Sequence, residues 1–175
     1  MKLNHMWDAP NKPVCDPSFW RKRILWAAAT GRGTHTAIYD IDKTVWDRIQ
    51  IATATSLDGY LRPRDTVLDA GCGYGELVSC LPCPVQYTGV DCSTDLIDLA
   101  LLLHPKSSFI VADLRQLPFP NQSFRWSICR SMRKMVVDNL RAEEWGRIEK
   151  ELLRVSRNVL ILEYEDFCNN VEVLG

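Results

Sequence analysis

Apolar residues in the second half of the chain follow two rhythms. Unbroken β-rich runs at 66–70, 85–90, 107–112, 124–130 and 158–164 predict strands. Between them, Leu96, Leu99, Ala100 and Leu103 recur on one face of a predicted helix over 94–103. A short helix is expected over 76–81, a longer one over 142–156, and a loop or short helix over 131–141. The segment 114–123, with Pro118, Pro120 and Asn121-Gln122, reads as loop. Val159-Leu160-Ile161-Leu162 is apolar at every position, as a strand covered on both faces should be. Upstream, Val45, Ile49, Ala52 and Leu57 predict a helix over 42–61. Ser18 is placed to cap another helix that runs to about residue 29, ended by Thr30-Gly31-Arg32-Gly33. Three prolines in the first 17 residues suggest an extended arm.

Strands separated by helices pair in parallel through right-handed crossovers. The pattern therefore predicts an α/β fold with a doubly wound, mostly parallel sheet, whose ligands bind at the carboxyl ends of the strands.

Composition narrows this. At 175 residues the chain is one domain, and 46% hydrophobic with 25% charged residues is an ordinary globular balance. A net charge of -1 argues against a grip on nucleic acid by bulk charge. Two segments are nonetheless basic: 1–38 and 125–141, where Arg130 and Arg133 lie. They read as ordinary solvated surface or, in a sharper reading, as segments that face an anionic ligand. The seven cysteines follow no signal peptide, and no apolar run approaches a membrane span, so a reducing, cytoplasmic protein is expected. Cys80-Leu81-Pro82-Cys83 lacks a second ligand pair and reads as a helix end, so no metal is expected.

Candidate chemistry begins where the first strand ends. Val67-Leu68-Asp69-Ala70 runs into Gly71-Cys72-Gly73-Tyr74-Gly75. A strand that turns at once into a helix needs residues tolerant of positive φ, and lacking a Cβ where a ligand approaches. Backbone N–H groups at the helix start then face that ligand. The spacing is G-x-G-x-G, not the dinucleotide G-x-G-x-x-G, and Asp69 suits a cationic ligand better than a pyrophosphate.

This run resembles the first motif of class I S-adenosylmethionine-dependent methyltransferases. Further motifs fall in order over about residues 64–164. Asp91 ends the second strand, Asp113-Leu114 follow the third, and Leu117-Pro118-Phe119-Pro120-Asn121-Gln122-Ser123-Phe124 precedes the fourth. Arg125 stands where the family usually has Asp. The resemblance implies S-adenosylmethionine as cofactor and S-adenosylhomocysteine as product. It implies a cofactor site of Asp69, Gly71, Cys72, Gly73, Tyr74, Gly75, Asp91, Cys92, Asp113, Leu114 and Arg130. Asp69 would serve the amino end, Asp91 the ribose hydroxyls, and Asp113 with Leu114 the adenine. Residues 1–61 would form an arm and helices capping this site, and 62–175 the α/β core. His35, Tyr39 and Asp40 are candidate bases, with Arg130 a further catalytic candidate. Arg130 and Arg133 are candidates for holding an anionic or nucleotide-like acceptor. The four tryptophans in the first 46 residues suit a core between the added helices and the sheet, or a lid. Two other readings stand beside this one: a catalytically silent cofactor-binding accessory subunit, and an NAD(P)-dependent reductase on the same fold.

Only eleven residues follow Tyr164, while the family sheet usually continues with a helix and an antiparallel hairpin. The expected sheet is therefore five strands in order 3-2-1-4-5, without that hairpin and with 158–164 at an edge. The tail, the N-terminal arm, a second copy or another partner would have to cover that edge.

Overall fold

A computed structural model of the chain describes residues 17–30, 42–133, 136–137, 142–165 and 168–175. Strands β1 (Thr66–Ala70), β2 (Gln86–Asp91), β3 (Ser108–Val111), β4 (Phe124–Arg130), β5 (Ser156–Glu165) and β6 (Cys168–Leu174) form one sheet. Its order is β3-β2-β1-β4-β5-β6, with the first five strands parallel. The helices are α1 (Pro17–Thr30), α2 (Lys43–Asp58), α3 (Thr94–Leu103) and α4 (Ala142–Val155), with a 3-10 helix at Glu76–Cys80.

Local signals set several boundaries. The Asp42 carboxylate accepts from the Thr44 N–H at 2.8 Å and starts α2. Ser93 does the same for α3 through the Leu96 N–H. Cys80, the first cysteine of the C-x-x-C, closes the 3-10 helix as a free thiol.

Alternation along β1 separates two cores. Leu68 and Ala70 face α4, packing with Val90, Ile148, Leu152, Val159 and Ile161. Val67 faces α2 and the 3-10 helix, with Leu57, Leu77, Ile128, Leu160 and Leu162. Both faces are covered, so consecutive residues of the central strands are buried, 67–70 in β1 and 126–129 in β4. A third cluster joins Trp20 of α1 to Tyr74 and Leu96.

The five-strand order is as the sequence predicts, but the edge is not. β6 pairs antiparallel with β5, from Val159 opposite Leu174 to Glu165 opposite Cys168. The expectation of a missing hairpin assumed an intervening helix. A β-hairpin needs about two connecting residues, and only 166 and 167 separate the two strands. The tail thus covers the apolar segment 158–164, and Leu160 and Ile161 have no exposed surface.

Candidate functional site

The turn after β1 is built on glycines whose conformation few other residues tolerate. Gly71 has φ +75° and Gly75 φ +85°. The space a Cβ would occupy is filled by the protein itself. At Gly71 it lies 2.6 Å from Met132 Sδ, and at Gly75 within 2.9 Å of the Phe109 and His104 rings. Close approach by a ligand was the sequence-based reason for these glycines. In the structure, internal packing already requires them. The Gly71 and Cys72 N–H groups both donate to the Val90 carbonyl, at 2.8 and 3.0 Å, which ties the loop to the end of β2.

Asp91 ends β2 beside this loop. One carboxylate oxygen accepts from the Gly73 N–H at 3.0 Å and the other from the Ser93 N–H at 2.9 Å. Burial raises its pKa, while these two N–H groups and the Cys92 thiol pull it back down. The carboxylate is therefore oriented before any ligand arrives. Cys92 itself is exposed.

Asp113 follows β3, next to the end of β2, where the Ala112 N–H donates to the Asp91 carbonyl at 3.0 Å. Its carboxylate is half exposed and held by the Arg115 guanidinium at 2.6–3.0 Å. That hydrogen bonding keeps its pKa below the ordinary value. Leu114 is buried in the core on the α4 side.

Asp69 differs from its expected role at the ligand surface. It is 2% exposed and points into the α2-side core, where its carboxylate accepts from the Tyr87 hydroxyl at 2.7 Å. Burial pushes its pKa up to about 6, against the pull of Tyr87 and the nearby Arg130 charge. Cys72 and Tyr74 of the loop are both buried, and burial together with the nearby Glu76 charge raises the Tyr74 phenol's pKa.

The two arginines are both in ion pairs. Arg130 Nη2 donates to Glu76 Oε2 at 2.8 Å and Nη1 to Gln50 Oε1 at 2.8 Å. Arg133 pairs with Glu172 of β6, and its backbone N–H donates to Glu163 at 2.9 Å. His35, Tyr39 and Asp40 lie outside the described residues.

The carboxyl ends of β1, β2 and β4 thus bring together the glycine loop, Asp69, Asp91, Cys92 and Arg130, with Asp113 alongside at the end of β3. The sequence reading missed Glu76, Gln50, Tyr87 and Met132. Glu76 carried a signal, being an acid that directly follows the last glycine in an otherwise apolar turn. The other three are ordinary in their local runs.

Acids at the ends of consecutive strands around a glycine loop define a Rossmann-like domain. Its family is methyltransferase: residues 67–158, just over half of the chain, match the sequence model described as Methyltransferase domain, and the chain belongs to that family. Solved structures agree on the fold. An S-adenosylmethionine-dependent methyltransferase from Methanosarcina mazei is 26% identical, with a TM-score of 0.54, covering 62% of this chain and 57% of its own. A Pyrococcus horikoshii protein is 24% identical, with a TM-score of 0.60, covering 70% and 59%. Magnesium protoporphyrin IX methyltransferase from Synechocystis, solved with S-adenosylhomocysteine, is 20% identical, with a TM-score of 0.56, covering 70% and 60%. The matched region therefore spans less than two thirds of each of these proteins. No functionally curated protein matches the chain. Among the described residues, no helix is long and apolar enough to cross a membrane.

Proposed function

We propose that the chain is a methyltransferase that takes its methyl group from S-adenosylmethionine. The observation that carries this reading is Asp91. Its carboxylate is fixed by two backbone N–H groups at the mouth of the glycine loop, and it retains lone pairs for a ribose diol. The donor set fits the group. Asp91 would take the ribose hydroxyls, Asp113 the adenine amine, and the loop backbone the ribose and methionyl portions. When bound, the cofactor supplies an electrophilic methyl on a sulfonium. The chain's own contribution is positioning, since in-line methyl transfer depends mostly on holding the two reactants in line. Asp69 acts from beneath the loop by its charge, because its side chain is turned to Tyr87. Helices α1 and α2 cap the site. α1 reaches the loop through Trp20 on Tyr74, and α2 through Arg130.

An anionic acceptor loses the support that Arg130 and Arg133 lent it, because Glu76 and Glu172 face their guanidinium groups. Titration calorimetry with S-adenosylhomocysteine tests the assignment. We expect micromolar binding to the wild type and at least a roughly tenfold loss in Asp91→Ala, the scale of hydrogen bonds to a charged group. Unchanged affinity in Asp91→Ala would reject the site. Binding of NAD in its place would turn the reading to a reductase. Methyl transfer by the purified chain alone, in a labelled-cofactor screen of nucleotides and small amines, would exclude a silent accessory role.

A further inference from the structure

Arg130 is the last residue of β4, and its side chain is only 11% exposed. Its guanidinium joins three elements remote in sequence. Glu76 opens the 3-10 helix that follows the glycine loop, Gln50 lies midway along α2, and the Trp46 ring centroid is 5.8 Å from the guanidinium carbon. The Glu76 side chain is 7% exposed, so the two charges meet largely away from water. A buried carboxylate is tolerated where a counter-ion and hydrogen bonds replace its hydration. Tyr74, inside the loop, is buried two residues before the same Glu76. The planar fork of an arginine can hold a carboxylate and an amide at once while its face lies against an aromatic ring.

We propose that Arg130 is a positioning residue: its charge neutralises the buried Glu76 and so lets α2 seat against the glycine loop, and cofactor affinity depends on that neutralisation, the hydrogen bond to Gln50 being secondary. This rests on the methyltransferase reading above. It assigns Arg130 neither a contact with cofactor or acceptor nor a proton transfer. Its consequence is that the loop and the capping helix move as one unit. An uncompensated Glu76 would disturb both.

The experiment compares wild type, Arg130→Lys, Arg130→Met and the double variant Glu76→Gln/Arg130→Met. Affinity for S-adenosylhomocysteine is read by calorimetry, and folding by the thermal midpoint. Methionine keeps the apolar stem of the arginine and removes its guanidinium and charge. We expect Arg130→Met to weaken binding at least tenfold, because it leaves Glu76 buried without its counter-ion. Arg130→Lys should fall between, keeping the charge and losing the fork. Adding Glu76→Gln should bring affinity back to within about threefold of wild type, with the thermal midpoint rising in parallel. A merely structural side chain would not be rescued by removing a charge elsewhere. If Arg130→Met fails to fold, the double variant still decides, since folding and binding are expected of it. Wild-type affinity in Arg130→Met would overturn the proposal. So would a double variant that remains as weak as the single one, because Arg130 would then be needed for itself at the ligand. A wild type that does not bind the nucleoside rejects the methyltransferase reading, an outcome distinct from either.

Discussion

Asp69 carries two features that pull apart. Its place at the end of β1 is legible in the sequence. Its protonation is not, because that depends on Tyr87, eighteen residues away, and on near-complete burial. With the pKa raised from 3.8 to about 6, the folded state holds this proton more tightly than the unfolded state does. The stability linked to Asp69 is thus fully present below pH 3.8, falls as pH rises to about 6, and is flat above. Asp91, raised in the same direction, adds to the slope. Asp69→Asn keeps an acceptor for the Tyr87 hydroxyl and removes the charge. It should stabilise the protein by roughly 2 kcal/mol at pH 8, and flatten the loss between about pH 4 and 6. Urea unfolding across that range measures both, and an unchanged slope would show that Asp69 does not set it. The acids at 69, 91 and 113 could be picked out by spacing. Their partners Tyr87 and Gly73 emerge only when the strands are laid side by side, whereas Ser93 and Arg115 lie two residues on from the acids they hold.

The elements follow the apolar rhythm closely. β1, β4 and α3 fall on the predicted residues, since each is a short run whose period and caps are local properties. β6 escaped because Cys168–Leu174 has weak strand character of its own, with Asn169, Asn170 and Glu172 in its middle. It is a strand because β5 offers an unpaired edge two residues upstream. Its contribution should be measurable. Leu174 packs against the α4-side core, and β6 pairs with β5 at seven positions. A chain ending at residue 165 should lose on the order of 3 kcal/mol or more, from the apolar surface it uncovers. It should also aggregate through the bare β5 edge. Chemical denaturation and light scattering report the two effects, and a shortened chain as stable and monodisperse as the full one would deny β6 this role.

At the scale of the whole molecule, the sheet ends on β3 at one edge and β6 at the other, and the β3 edge carries the larger set of exposed apolar side chains among the described residues. Beside the four-residue edge strand β3, Leu101, Leu102 and Leu103 of α3 are 45%, 76% and 46% exposed, and Val111 is 45% exposed. Apolar surface next to a short edge strand favours association. Leu102→Glu should therefore lower concentration-dependent association in sedimentation velocity. The thermal midpoint should change little, because surface substitutions away from special features stay within about 0.5 kcal/mol. Association unaffected by the new charge would place the sticky surface elsewhere.

The sequence by itself determined the parallel α/β order, the glycine turn and the acids at the strand ends. Each is encoded within a few residues, by periodicity, by tolerance of positive φ, or by spacing from a strand terminus. Tertiary structure alone decided what those residues face. It filled the space beside Gly71 with Met132, turned Asp69 inward to Tyr87, set Arg130 against Glu76 and Gln50, and made the tail a sixth strand. The reason is physical. Backbone conformation answers to neighbours in sequence, whereas burial and charge pairing answer to neighbours in space. For Arg130 those neighbours lie 54 and 80 residues away.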